Sequence, residues 1–199
     1  LLVDLKGWTH GVRLEISALR PAPIIVSWLG YPGTLGHPGL ADYIVGDPFV
    51  TPLSHAEGYS EKIIQLPHSY QPNDRRREVG AMPSRTELGL PENCVVYCSF
   101  NQTYKISKDV FAAWCEILRQ VPDSVLWLLQ PEEAAANNLR REMQGLGVEP
   151  SRLFFAPRRP LSEHLGRLQQ ASLALDTAPY GSHTTGSDAL WVGVPIVTC

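Results

Sequence analysis

Residues 94–129, CVVYCSFNQTYKISKDVFAAWCEILRQVPDSVLWLL, decide the fold. Cys94–Phe100 is a short apolar run rich in β-branched and aromatic residues, the composition of a buried strand. A polar loop, Asn101–Ser107, follows. From Lys108 to Gln120 the apolar residues Val110, Phe111, Trp114, Ile117 and Leu118 recur at helical spacing. Ser107 supplies an N-cap and Pro122 stops the chain from continuing as helix. Ser124–Leu129 is again a continuous apolar strand. Strands joined by a helical crossover pair in parallel. Strands apolar along their whole length need cover on both faces.

The alternation continues on both sides. Downstream the pattern predicts a helix over Glu132–Leu146 ending at Gly147, a strand over Leu153–Ala156 and a helix over Ser162–Ala171. A strand over Leu173–Asp176, a helix over Thr185–Val192 and a strand over Pro195–Thr198 follow. Upstream, Leu1–Leu5, Pro23–Leu29, Ala41–Val45 and Lys62–Leu66 read as strands and Gly11–Leu19 as a short helix. Between Pro67 and Pro83 the periodicity fails, with three prolines and the run Arg75-Arg76-Arg77, which reads as a solvated loop. The expected division is residues 1–72, a link at 73–85, and residues 86–199, with both chain ends reading as cuts through a larger fold. The class is α/β with parallel sheets covered on both faces.

Composition excludes several functions. The chain has 199 residues, 44% of them apolar, and a formal net charge of −3, so no global field favours nucleic acid or an anionic membrane. No apolar run approaches the roughly 18 residues of a membrane span, and no leader segment is visible. The four cysteines, Cys94, Cys98, Cys115 and Cys199, form no C-x-x-C pair, and three lie in apolar stretches as expected for buried thiols in a reducing cytoplasm. The six histidines show no metal-ligand spacing, so no metal site is expected. Phosphate-binding G-x-x-x-x-G-K-[ST] and nucleophile G-x-S-x-G patterns are both missing.

In open parallel sheets ligands bind beyond the carboxyl ends of the strands. Three loops lie there. In Thr177–Gly186, residues Thr184, Thr185 and Gly186 open a helix, where free N–H groups and the helix dipole favour an anion such as phosphate. Asp188, in the first turn, suits ribose hydroxyls. Taken alone, the pattern is more often a capping device than a ligand site. In Asn101–Ser107, Lys105 offers a compact charge for a diphosphate leaving group, though a lone lysine is more often a solvated surface residue. After the third loop, Pro157–Leu161, His164 begins a helix, and its flat ring fits either base stacking or helix-end packing. The turn Trp28-Leu29-Gly30-Tyr31-Pro32-Gly33-Thr34 exposes backbone amides that suit sugar hydroxyls, and serves equally as a chain reversal.

Taken together, the blocks from Arg20-Pro21-Ala22-Pro23 through Trp28–Thr34, Asp42-Tyr43-Ile44, Tyr59–Lys62, Leu66-Pro67-His68, Val96–Ile106, Val121–Leu129 and His183–Asp188 to Leu190-Trp191 resemble, in order, the catalytic region of the O-GlcNAc transferase family. The resemblance covers nearly the whole chain and is weakest around Asp74–Pro83, where the short link is like that of bacterial homologues. It implies a GT-B fold, with residues 1–72 as the end of the N-terminal Rossmann-like half and 86–199 as most of the UDP-sugar-binding half. It implies an inverting glycosyltransferase that needs no metal, uses UDP-GlcNAc as donor and acts on Ser or Thr of protein or peptide acceptors. Lys105 matches the lysine that neutralises the diphosphate, and Gln102 a UDP contact beside it. His164 matches the histidine beside the uracil, and Arg159, with Arg158, the backbone at the uracil edge. His183, Thr184 and Thr185 match the diphosphate turn, and Asp188 the ribose carboxylate. Leu29, Gly30 and Pro32 match the turn near the donor sugar.

Two departures stand out. Leu161 replaces a lysine that contacts the nucleotide in many members. Tyr180 replaces a cysteine near the N-acetyl group, which leaves the donor sugar open between GlcNAc, glucose and GDP-fucose. The resemblance also implies that the active-site Asp and His, and acceptor-binding tetratricopeptide repeats, lie upstream of Leu1, so residues 1–199 alone are expected to be inactive. The other readings are a UDP-sugar epimerase or hydrolase of the same fold and a non-catalytic nucleotide-sugar scaffold.

Overall fold

The computed structural model describes residues 1–198 and divides into two compact units, Leu1–Asn73 and the chain from Asp74 onward. Cys199 lies outside the described residues.

In the first unit four short strands, β1 (Leu2–Asp4), β2 (Ile25–Trp28), β3 (Tyr43–Gly46) and β4 (Lys62–Gln65), pair in parallel in the order β1-β2-β3-β4. A single helix, α1 (Leu14–Ala18), crosses from β1 to β2. Leu14, Ile25, Leu35 and Ala41 form the core of this sheet. Each sequence-predicted strand is present within one or two residues of its expected bounds, with β3 reaching Gly46, one residue past the expected end. The 3-10 turn at Leu53–Gly58 has no apolar periodicity and was not legible.

The second unit is a three-layer α/β sandwich. Its strands are β5 (Val95–Ser99), β6 (Ser124–Leu129), β7 (Leu153–Ala156), β8 (Leu173–Leu175) and β9 (Ile196–Val197), all parallel, in the order β7-β6-β5-β8-β9. Its helices are α2 (Lys108–Gln120), α3 (Glu133–Gly145), α4 (Leu161–Leu168) and α5 (Thr184–Trp191). Because strand side chains alternate between faces, Tyr97, Leu126 and Leu128 pack with Phe111, Trp114, Cys115 and Leu118 of α2 and Met143 of α3. Val96, Cys98, Val125 and Trp127 point the other way, onto Leu168 of α4 and Ala189 of α5. Ser107 caps α2 by accepting a 3.3 Å bond from the Val110 amide. Cys94, Cys98 and Cys115 are free thiols, and burial pushes Cys98 up to about 12. No helix among the described residues is long and apolar enough to cross a membrane.

The strand order reverses at β5, whose neighbours are β6 on one side and β8 on the other. The crossover that reverses direction opens a crevice beyond the strand ends. The loops after β5 and β8 therefore face one another.

Candidate functional site

Asp176, the residue after β8, organises the crevice. Its Oδ1 accepts from the amides of Thr177 and Ser182, both at 2.7 Å, and from Asn101 Nδ2 at 3.3 Å. Its Oδ2 accepts from Thr198 Oγ1 at 2.9 Å. Asn101, the second residue after β5, is buried, and its Oδ1 accepts from Thr185 Oγ1 at 2.9 Å. Two side chains thus tie the β5 loop, the β8 loop and the start of α5 together. Neither was singled out from sequence. A carboxylate and an amide at the tips of adjacent strands are the signal that could have found them.

A 3-10 turn at Thr103–Lys105 directs Lys105 across the crevice. Its Nζ donates to the Gly181 carbonyl at 2.9 Å and lies 4.3 Å from the centroid of the Tyr180 ring. Burial draws the Lys105 ammonium below its ordinary range, and the Asp176 carboxylate opposes this. Burial and the Lys105 charge lower His183 in turn, whose ring centroid lies 5.3 Å from that of Tyr180. Gln102 sits at the N-terminal edge of the same 3-10 turn, half-buried.

The α5 helix starts at Thr184 without a side-chain cap, and Thr185 spends its hydroxyl on Asn101. At Gly186 a Cβ would lie 2.7 Å from Ser182 Oγ, so its missing side chain makes room for the loop itself.

Asp188 is buried at 5% exposure and accepts a 2.6 Å ion pair from Arg77 Nη1. This corrects the reading of the arginine run as solvated. Arg76 is exposed and pairs loosely with Asp74 at 3.5 Å, but the Arg77 side chain is 11% exposed, with its guanidinium 4.7 Å from the centroid of Trp191. Polar spacing alone could not distinguish the three arginines.

His164 packs edge-on against Phe100, ring centroids 4.9 Å apart, beside the Arg167 guanidinium. Burial, then the Arg167 charge, push His164 down to about 4, so the ring is neutral at physiological pH. Leu161 is half exposed at the first position of α4. Arg159 stands apart from the Lys105 group. It pairs with Glu163 at 3.7 Å and lines a cavity of about 560 Å³ with Arg167, Met82, Trp127 and Phe155, whose walls include none of Lys105, His183, Thr184, Thr185 or Asp188.

In the first unit, Leu29 adopts a left-handed backbone with φ of 78°. That is a costly conformation for a branched side chain, and such strain gathers at functional turns. The Gly30 amide donates to the Trp28 carbonyl at 3.1 Å, Trp28 Nε1 donates to the Tyr70 carbonyl, and Pro32 is half-buried in the same turn.

Comparison with known proteins gives the family and the fold. The sequence profile of glycosyl transferase family 41 matches residues 1–82 and 73–199. A protein of Arabidopsis thaliana named "Probable UDP-N-acetylglucosamine--peptide N-acetylglucosaminyltransferase SEC" is 42% identical over 204 residues, covering 100% of this chain and 21% of the relative. A Caenorhabditis elegans UDP-N-acetylglucosamine--peptide N-acetylglucosaminyltransferase is 27% identical over 310 residues, covering 100% of this chain and 27% of the relative. This chain thus spans about a fifth to a quarter of these relatives. A mutant O-GlcNAc transferase of Thermobaculum terrenum superimposes with a TM-score of 0.77 at 33% identity, over 90% of this chain and 34% of that one. Anabaena HepE, solved with UDP and glucose, shares the fold with a TM-score of 0.62 at 18% identity, over 93% of this chain and 56% of that one. The fold is of the GT-B type, and the chain belongs to glycosyl transferase family 41.

Proposed function

We propose that this chain is the nucleotide-sugar-binding part of an inverting glycosyltransferase that moves GlcNAc, or a closely related sugar, from a UDP-sugar to Ser or Thr hydroxyls of protein acceptors. One observation carries the reading. The Lys105 ammonium is held 2.9 Å from the Gly181 carbonyl, on the loop that leads into the uncapped start of α5, at the point where the strand order reverses. A fixed cation from one loop beside helix N-terminal amides of the next suits a pyrophosphate.

In the reaction the acceptor hydroxyl oxygen attacks the anomeric carbon from the side opposite the nucleotide, and its proton passes to a general base or to the departing diphosphate. The bond from that carbon to the diphosphate breaks and its electron pair stays on the phosphate oxygen. Lys105 and the α5 dipole stabilise the charge that develops there, the role a metal ion plays in other transferases. Thr184 and Thr185 line the diphosphate turn with His183, Gln102 flanks it, and Asp188 receives the ribose. His164, neutral and flat, lies against the base, with the backbone at Arg159 at its edge. Leu29, Gly30 and Pro32 keep the role of a donor-sugar turn that the family resemblance implies, and Tyr180 shapes the space for the sugar's 2-substituent. The favoured partners are a UDP-sugar and a protein acceptor, and no metal is needed.

The test is UDP release from UDP-GlcNAc by the full-length protein, with and without a Ser/Thr peptide. Peptide-dependent release with matching glycopeptide supports the proposal. Release independent of the peptide identifies a hydrolase, conversion to an epimer identifies an epimerase, and binding without turnover identifies a scaffold; each overturns it.

A further inference from the structure

The irregular segment that leads into the second unit is fastened to it at several points. The Gly80 amide donates to the Ser162 carbonyl at 2.9 Å, and Gln170 Nε2 donates to the Pro83 carbonyl at 2.7 Å. Arg85 Nη1 donates to the carbonyls of Glu92 and Cys94, and the backbone of Gly80 and Ala81 lies directly on Gly166 of α4. Residues 77–85 are a strap across α4 and the entry to β5, and Arg77 is the point where it meets α5. There the guanidinium is held between the Asp188 carboxylate, at 2.6 Å, and the Trp191 ring, at 4.7 Å.

We propose that Arg77 is a positioning residue of the donor site. It clamps Asp188 by Oδ1 and keeps the carboxylate ionised in its buried setting, so that Oδ2 is the oxygen that accepts from a ligand hydroxyl. The inference rests on the reading of Asp188 as the ribose carboxylate. Both partners are nearly buried, with side-chain exposures of 11% and 7%. A carboxyl in such a place loses water and drifts towards the neutral form. Burial does raise Asp188, and Arg77 acts against it by charge and hydrogen bond. Among the described residues α5 carries no second titratable side chain, β9 carries none, and Glu163, His164 and Arg167 of the adjoining α4 do not act on the group. Among the described residues Arg77 is therefore the charge that keeps this carboxyl an acceptor. The alternative, a gate that ribose displaces, would strip a buried cation of its partner, which is far costlier than leaving the pair intact. It would also have to pull against the strap's other fastenings.

The experiment is calorimetric titration of UDP from pH 5.5 to 8.5 with the parent chain, Arg77→Met, Arg77→Lys and Asp188→Asn, with circular dichroism to verify folding. Arg77→Met should weaken UDP binding about tenfold near pH 6 and regain most of it as the pH rises, since losing an opposite charge lifts a carboxyl by roughly one to three units. Arg77→Lys should restore the flatter profile of the parent chain. If Arg77→Met does not fold, Arg77→Gln, which keeps an N–H donor on a shorter side chain but drops the charge, carries the same expectation. Arg77→Met or Arg77→Gln binding as tightly and as evenly across pH as the parent, while Asp188→Asn is weakened, would overturn this inference alone. Tighter binding by either would show a gate and overturn it too. Undiminished binding by Asp188→Asn would remove the ribose assignment beneath it.

Discussion

The Lys105 ammonium is bonded to the Gly181 carbonyl at 2.9 Å, across 76 residues of sequence, and so joins the loop after β5 to the loop after β8. A lysine already desolvated and aimed needs little reorganisation when a diphosphate arrives, which is the condition under which a fixed charge contributes most to a transition state.

Lys105→Ala in the full-length enzyme should therefore lower kcat by about 10²–10³-fold while changing UDP affinity less than about tenfold. Steady-state kinetics paired with calorimetry would show the split. Equal losses in both would mean that Lys105 binds the nucleotide without favouring the leaving group.

The scaffold beneath that loop depends on Asp176, which accepts four hydrogen bonds, two of them from backbone amides at 2.7 Å. Asp176→Ala leaves those donors unpaired. Each half-buried donor stripped of its partner costs about 1–3 kcal/mol, so the variant should lose at least about 2 kcal/mol in urea denaturation. A loss below about 0.5 kcal/mol would show that water replaces the carboxylate without penalty.

Strands and helices of the second unit were legible because periodicity reports burial. Trp114 and Leu118 face the sheet at helical spacing, and Val96 and Cys98 alternate with Tyr97 between its two faces. The three loops beyond the strand ends followed from the parallel topology alone. Asn101, Asp176 and Arg77 were not legible, because their importance lies in partners 75, 22 and 111 residues away. A local pattern has no access to such distances. Arg77 looks like Arg76 in sequence, and only the Asp188 carboxylate at the other end of the unit distinguishes them.

His164 gives a test by pH. Its folded value, about 4, lies below the ordinary 6.5, so the folded chain binds fewer protons than the unfolded chain in the interval between them. Stability from this site is complete above about pH 6.5 and is lost as the pH falls towards 4. His164→Gln should remove that part of the acid sensitivity, on the order of 1 kcal/mol between pH 7 and 5 once the ring's residual exposure to water is allowed for. Denaturant midpoints at the two pH values provide the measurement. An unchanged pH slope in the variant would show that the ring charges freely in the folded chain.

The last prediction concerns Gly166, in the interior of α4. Alanine is the better helix former there by about 1 kcal/mol, so a helix packed against nothing would gain from the change. Here a Cβ would stand 2.5 Å from the Ala81 carbonyl oxygen and 2.8 Å from that of Gly80. Both atoms are backbone, and the Gly80 amide is already bonded to Ser162, so the strap cannot yield by turning a side chain. Overpacking of this kind costs roughly 1–3 kcal/mol, which outweighs the propensity gain. Gly166→Ala should therefore destabilise the chain. By lifting the strap it should also raise the amide exchange rate at Gly80 and weaken UDP binding in the same direction as Arg77→Met. A stabilised Gly166→Ala variant with unchanged exchange at Gly80 would mean that the strap rests on α4 without bearing on it.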